Sequence, residues 1–105
     1  MKFNEEDNSI EMFQNDYGIP INFEAEDFHV NDEIVFVVEN DIIEPKTFEV
    51  TNEPFSFNLC FTEEEAEKLT RGNYYYSFKQ YRDGRLLDTV LNGEIKVRRT
   101  VLWQN

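Results

Sequence analysis

The amino-acid sequence predicts an all-β protein, a two-layer antiparallel sandwich of the immunoglobulin-like type with about six to seven strands. Apolar and polar residues alternate in several segments, turn signals recur at short intervals, and a single segment, at about residues 63–70, has a helical pattern. A chain of 105 residues can build one hydrophobic core. Residues 1–105 are therefore expected to be one domain, with 1–9 as a candidate flexible arm and 102–105 as a tail.

The first half of the chain contains three predicted strands. In "IPINFEAE" the apolar residues Ile19, Ile21, Phe23 and Ala25 occupy every second position, which is typical of a half-buried strand. The segment "EIVFVVE", residues 33–39, is apolar on both faces and rich in β-branched residues, so it is expected in the centre of a sheet. "TFEV", residues 47–50, predicts a short strand after the Pro45 loop.

The segment "PFSFNLCF" has the clearest alternation of the sequence. Its apolar face consists of Phe55, Phe57, Leu59 and Phe61, and its polar face of Ser56, Asn58 and Cys60. The predicted helix follows directly. Thr62 and Glu65 have the spacing of a capping box, in which each side chain binds the other residue's backbone N–H.

The last third of the chain predicts a β-meander. "NYYYSFKQY", residues 73–81, places Tyr74, Tyr76 and Phe78 on a core face. Asp83-Gly84 is a hairpin signal, because a type I′ turn needs two residues that tolerate positive φ. Asn92-Gly93 fits either a second turn or a bulge in one long strand over residues 86–101, and we favour the bulge. In both cases Ile95 and Val97 face inward.

Charge is distributed unevenly along the chain, whose net charge is −12. Residues 1–67 hold 19 acidic and 2 basic residues, whereas residues 68–105 hold 3 acidic and 8 basic residues. An acidic domain is poorly suited to bind nucleic acid directly, since phosphates need a basic surface. The distribution fits pairing of acidic with basic strands, head-to-tail association of copies, an acidic surface that resembles nucleic acid, or a solvated acidic face.

The residues do not predict catalysis, a cofactor or a metal. Cys60 and His29 are the single cysteine and histidine, which leaves no set of ligands for a cysteine- or histidine-based zinc site. They are more simply interpreted as ordinary strand or loop residues than as a catalytic pair. The glycines are scattered, so no phosphate-binding loop is predicted. The sequence also lacks a long apolar segment and a signal-peptide pattern, which predicts a chain made in the cytoplasm without membrane contact.

A protein-binding surface is better supported. Tyr and Arg are enriched at interface hot spots, and both occur around the predicted hairpin. The candidate interaction residues are Tyr75, Lys79, Tyr81, Arg82, Arg85 and Trp103. The alternative is that these aromatic residues only pair with neighbouring strands. Trp103 fits either docking to another subunit or a lid over the end of its own sandwich, and together with Tyr75 it could also bind carbohydrate.

Three segments resemble the small sandwich domains at the N-terminus of bacteriophage upper baseplate proteins. These are "QNDYGIPINFEAEDFHVNDEIVFVV", the stretch "TEEEAEKLTRGNYYYSFKQYRDG" and "TVLNGEIKV". The second matches the family pattern at Thr62, Glu65, Leu69, Gly72, Tyr74 and Tyr76, and the third at Gly93 and Val97. Together they cover most of residues 13–101. The chain differs from the family in having no receptor-binding or coiled-coil region after Asn105 and in its more acidic first two-thirds.

The resemblance implies a non-enzymatic virion protein that associates with tail or baseplate subunits or with itself. An alternative is a small acidic phage-encoded inhibitor, of the anti-CRISPR or anti-restriction kind, that mimics nucleic acid and binds a host nuclease. That alternative requires a row of carboxylates on one face, for which the candidates are Glu24, Glu26, Glu39 and Glu49, provided that their strands are neighbours.

Overall fold

The structure is a computed structural model that describes residues 1–99. Within this range it contains eight β-strands, one α-helix and a short 3-10 turn at Glu39–Asp41. In chain order the elements are β1 Lys2–Asn4, β2 Ser9–Phe13, β3 Ile21–Ala25, β4 Glu33–Val38, β5 Lys46–Glu49, β6 Phe55–Leu59, α1 Glu63–Lys68, β7 Gly72–Arg82 and β8 Arg85–Arg98.

The strands form two sheets. One has six strands in the order β1-β2-β8-β7-β4-β5, and the other pairs β3 with β6. Neighbouring strands are antiparallel except for β2 and β8, which run parallel. In an immunoglobulin domain, the second and fifth strands belong to one sheet and face the third, sixth and seventh strands of the other sheet. Here β3 and β6 occupy the positions of the second and fifth strands, and β4, β7 and β8 occupy those of the third, sixth and seventh. The predicted all-β immunoglobulin-like sandwich is confirmed.

The N-terminal region adds strands that the sequence analysis did not include. Residues 1–9, the candidate flexible arm, form β1, a turn and the first residue of β2. In the parallel pair, Ile10 lies beside Ile95 and Met12 beside Val97, and all four side chains are buried. Only two inward residues, Ile10 and Met12, alternate with polar residues in this segment. Two positions are too few to predict a strand from the sequence. The sandwich therefore has eight strands and one parallel pair.

Aromatic rings hold the two sheets together. The Phe78 ring centroid on β7 lies 5.1 Å from Phe23 on β3 and 5.6 Å from Phe57 on β6. Phe36 on β4 is also 5.1 Å from Phe78. The prediction that the apolar face of residues 55–61 shares one core with Tyr74, Tyr76 and Phe78 is thus confirmed, with Tyr74 only partly buried against that core.

The polar face of that segment, with Ser56, Asn58 and Cys60, is exposed as predicted. Ile19 differs from the prediction. It was expected on the core face, but its side chain is exposed because β3 begins only at Ile21, after a loop through Gly18 and Pro20.

Helix α1 begins with the predicted capping box. The Glu65 backbone N–H donates to Thr62 Oγ1 over 3.2 Å, and the Thr62 backbone N–H donates to Glu65 Oε1 over 2.9 Å. Ala66 and Leu69 bury the inner side of this short helix against the core. Lys46 Nζ lies 2.7 Å from Glu65 Oε1, which ties the helix to β5.

The β7–β8 hairpin has the predicted turn at Asp83-Gly84, but its bulges are not at the predicted position. Asp83 and Gly84 have positive φ angles of 51° and 75°, as a type I′ turn requires. Strand β8 is continuous through Asn92-Gly93, as favoured, but these two residues pair regularly with Ser77 and Tyr76. The register shifts instead at Val90 and at Leu87, which are extra residues of β8 without a partner on β7.

Gly93 is required where the N-terminal turn crosses β8. A Cβ atom at this position would lie 2.2 Å from the backbone oxygen of Asn8. The same oxygen accepts a hydrogen bond of 2.6 Å from Tyr76 Oη. Burial, followed by the charge of Asp7, raises the pKa of Tyr76 to about 12, so the hydroxyl remains a donor at neutral pH. The hydrogen bond from Tyr76 therefore helps to hold the turn in place. The turn can lie close to β8 because Gly93 has no side chain.

We expect Gly93→Ala to lower the free energy of unfolding by about 3 kcal/mol, because the added methyl group must displace backbone atoms. Tyr76→Phe should cost about 1 kcal/mol through loss of the hydrogen bond. Urea unfolding followed by circular dichroism measures both. Asn92→Ala, at an exposed neighbouring position of β8, should stay within about 0.5 kcal/mol of the parent chain. Equal unfolding midpoints for Gly93→Ala and Asn92→Ala would contradict this account of the turn.

Candidate functional site

Three of the predicted interaction residues lie on the outer face of the six-stranded sheet. Tyr75, Lys79 and Tyr81 alternate along β7, and Tyr75 is 66% exposed. Lys79 and Tyr81 are partly covered and pair across the sheet with Val35 and Glu33 of β4. Cross-strand pairing thus accounts for part of the aromatic surface, and Tyr75 is the more exposed of the two tyrosine rings.

Arg82 is directed to the opposite side and has a structural role. Its Nε donates to Asp32 Oδ1 over 2.8 Å and its Nη2 to Asp32 Oδ2 over 3.0 Å. Gln80 Nε2 adds a bond of 2.9 Å to the same carboxylate, and the His29 backbone N–H a bond of 3.0 Å. The guanidinium is thus ion-paired within the chain, while the Arg82 side chain remains 37% exposed.

Asp32 is the centre of this network and is 1% exposed. The hydrogen bonds from Arg82, together with those from His29 and Gln80, hold the pKa of the Asp32 carboxyl well below its usual range, against the effect of burial. The backbone of Asp32 also accepts from Val50 over 2.8 Å. The network therefore fastens the tip of the β7–β8 hairpin to the loop before β4.

Within residues 1–99, the predicted interaction residues do not form one surface. Arg85 is exposed at the hairpin tip, beside the turn and away from Tyr75. Trp103 lies outside the described residues. The sequence thus identified exposed residues on β7 and β8 but not a single contact patch.

The four candidate carboxylates are also separated. Glu24 belongs to β3 and Glu26 follows it, in the two-stranded sheet, whereas Glu49 belongs to β5 of the six-stranded sheet. Glu39 begins the 3-10 turn, and its Oε1 accepts from the Tyr75 backbone N–H over 2.8 Å. Because their strands are not neighbours, these residues do not form the row of carboxylates that a nucleic-acid mimic requires.

The six-stranded sheet also has an open edge that the sequence analysis did not identify. β2 pairs with β8 only from Ile95 to Arg98, so within the described chain residues 85–91 of β8 have a strand on one side only, namely β7. Three aliphatic side chains of this segment are exposed: Leu86 by 52%, Leu87 by 49% and Val90 by 38%. Leu87 and Val90 are the two bulged residues, so the bulges direct apolar side chains towards solvent.

A groove of about 390 Å³ lies beside this edge, between β8 and β3. Its apolar lining comes from both sheets and includes Phe23, Phe57, Phe78 and Leu91. These are core residues that the two-stranded sheet is too narrow to cover completely. The groove is therefore a continuation of the hydrophobic core to the surface.

The polar lining of the groove is acidic. It includes the acidic residues Glu24, Glu26, Asp27 and Asp88, and no Lys or Arg is among the lining residues of the described chain. Asp88 lies opposite Gln80 on the inner side of β8, while the other three acids come from the end of β3. An apolar groove with an acidic lining favours a ligand that is both apolar and positively charged.

A sequence signal for this site existed in "RLLDTVL", residues 85–91. A regular strand would alternate here, but Leu86 and Leu87 are adjacent and Val90 and Leu91 are adjacent. Two such doublets in a predicted strand indicate bulges, and bulges are common at sheet edges. The position of the groove could not be found in this way, because it depends on which strands face each other.

The described residues contain no group of three or more His, Cys, Asp or Glu placed to hold a metal ion. No helix within residues 1–99 is long and apolar enough to cross a membrane. Comparison with known proteins gives no matching family model and no significantly similar curated protein. The function must therefore be argued from the open edge, the groove and the sequence motifs.

We expect Asp32→Asn to lower the free energy of unfolding at neutral pH by about 1–3 kcal/mol, because the amide presents a donor to the donors of Arg82, Gln80 and His29. Since the pKa of Asp32 is lower in the folded than in the unfolded chain, its contribution is complete above about pH 4 and is lost as the pH falls towards the folded pKa. Urea unfolding at several pH values measures the difference between the two proteins.

The exposed residue Glu33 provides the control, and Glu33→Gln should leave stability within about 0.5 kcal/mol. The two proteins should approach the same free energy of unfolding at acidic pH. If the difference in free energy of unfolding between Asp32→Asn and the parent chain stayed constant down to the most acidic pH, that result would argue against the lowered pKa of Asp32.

Proposed function

We propose that this chain is a non-catalytic interaction module that associates with other protein subunits, and that it belongs to the tail or baseplate of a phage particle. The observation that supports an interaction role is the open edge of β8 with Leu86, Leu87 and Val90 exposed beside the groove. The phage context is supported by the motifs of residues 13–101 described above. Both parts predict a protein partner in place of a substrate.

The physical reason lies in the cost of leaving such an edge exposed. Unpaired backbone groups beside exposed aliphatic side chains are a template for association, and proteins usually cover or charge such edges. Here the edge segment carries Leu86, Leu87 and Val90 together with the single acid Asp88 between its turn and Leu91. Covering the edge and groove with a subunit would remove this apolar area from water.

The inhibitor alternative has less support. It depends on Glu24, Glu26, Glu39 and Glu49 forming one row, and they lie on two sheets. The acidic residues Glu24, Glu26, Asp27 and Asp88 instead lie around a groove whose other lining residues are mostly apolar. A surface that imitates a nucleic-acid backbone would instead present charges along a convex, polar face.

Site-specific photo-crosslinking in the cells that naturally make the protein tests the proposal. A photoreactive phenylalanine derivative at Leu87 should give one predominant crosslinked protein, because this side chain lies at the open edge. Mass spectrometry identifies the crosslinked chain, and a phage structural subunit or a second copy of this chain is the expected result.

The same derivative at Glu67, exposed on α1, is the matched control and should give little or no crosslinking. Equal crosslinking from both positions, no crosslinking at Leu87, or a nuclease as the crosslinked protein would each overturn the proposal.

A further inference from the structure

We propose that the groove of one copy binds residues 98–105 of a second copy, so that the chain associates head to tail. This inference rests on the proposed function, since it names the partner of the open edge. The segment reads "RRTVLWQN" and joins two arginines to three large apolar residues. It thus has the composition that an apolar groove with an acidic lining selects.

Charge complementarity carries the first step. Four acidic residues, Glu24, Glu26, Asp27 and Asp88, are among the residues that line the groove, and none of the described lining residues is basic. Arg98 and Arg99 are exposed, and no ion pair is formed by either of them within residues 1–99. Opposite charges on two such surfaces attract copies to each other and fix their orientation.

Apolar complementarity carries the second step. The groove exposes parts of Phe23, Phe57 and Leu91, and Val90 stands at its margin. Val101, Leu102 and Trp103 offer β-branched, aliphatic and aromatic side chains directly after the arginines. Tryptophan and arginine are the residues most often found at interface hot spots. Because bulges at Leu87 and Val90 interrupt the ladder, side-chain burial should contribute more than added strand pairing.

Geometry favours an intermolecular contact. The edge of the groove nearest to the segment is Leu91, and β8 continues in regular register from there to Arg98. These seven steps correspond to about 23 Å along the strand. Trp103 is five residues beyond Arg98, which extends at most about 17 Å, and part of that length would be used in reversing direction. Measured along β8, the segment of the same copy falls short of Leu91, which favours a second copy as the source of the bound segment.

A competing site for Trp103 exists at the near end of its own sandwich, where Phe13, Tyr17 and Ile19 are exposed. That end has mixed charge, since Lys2 and Arg98 are found there together with Glu11 and Asp16. This end of the sandwich therefore has no excess of negative charge that would attract Arg98 and Arg99. The groove is favoured because it satisfies the basic and the apolar residues together.

The arrangement has a definite symmetry. The groove lies towards the start of β8 and the basic segment follows its end, so each copy presents two different, complementary surfaces. Such a contact is heterologous, and it produces a closed ring or an open row of copies instead of a symmetric pair.

The fluorescence of Trp103 tests the inference, since it is the single tryptophan of the chain. With the purified full chain, we expect its emission to move to shorter wavelength as protein concentration rises, in parallel with the mass measured by light scattering. Raising NaCl from about 0.05 M to about 0.5 M should weaken the association, because salt screens the attraction between the surfaces.

Two charge-reversed variants provide the sharper test. The groove variant carries Glu26→Lys and Asp88→Lys, and the tail variant carries Arg98→Glu and Arg99→Glu, all at exposed positions. Each variant alone should show a dissociation constant raised by about tenfold or more, because like charges then face each other. A mixture of the two should associate again, since the basic groove accepts the acidic tail and the unchanged surfaces also match. Glu44→Lys with Glu67→Lys, outside the groove lining, is the control of equal charge and should leave association unchanged.

Three results would overturn the inference: a Trp103 emission that is independent of concentration, association that both charge-reversed variants retain, or a mixture that fails to associate. The crosslinking experiment separates this failure from that of the proposed function. A different phage subunit crosslinked at Leu87 would keep the interaction role while excluding a second copy as the occupant.

Discussion

The packing of aromatic rings around Phe78 is the contact on which the rest of the structure depends. Phe78 of the six-stranded sheet lies 5.1 Å from Phe23 and 5.6 Å from Phe57 of the two-stranded sheet, and Phe36 lies 5.1 Å from Phe78 within its own sheet. No disulfide can join the layers, because the chain has one cysteine. The burial of these rings is therefore the principal force between the sheets.

The same rings account for the groove. Two strands cannot cover the inner face of six, so Phe23 and Leu91 are only partly buried beside the groove. The parallel strand β2 pairs with β8 only at residues 95–98, which leaves residues 85–94 without a second neighbouring strand in the described chain. The feature that stabilises the fold and the feature proposed to bind a subunit are thus parts of one aromatic core.

The fold class could be predicted because alternation over several residues is a strong and local signal. Residues 55–61, the Asp83-Gly84 turn and the Thr62–Glu65 capping box each depend on neighbours in sequence, and all three were predicted correctly. The N-terminal strands were not predicted, since β2 is defined by its pairing with β8, more than 80 positions away. Such pairing leaves little trace in a short polar segment.

The site was less predictable for the same reason. Arg82 resembled a contact residue, but its partner Asp32 is 50 positions earlier, and only the folded register brings them together. The acidic lining of the groove combines β3 with β8, which belong to different sheets. Sequence pattern identified residue types suited to binding, whereas their assembly into one surface required the topology.

The exposed thiol of Cys60 has a practical consequence for any assembly that this chain forms. It follows β6 at the end opposite to the strand residues that line the groove, and no second cysteine competes with it. A spin label or dye attached there occupies one defined place in every copy. The distances between labels would then report on how the copies are arranged. A head-to-tail row of copies would give one spacing that recurs along the row, whereas a two-fold symmetric pair would give a single distance.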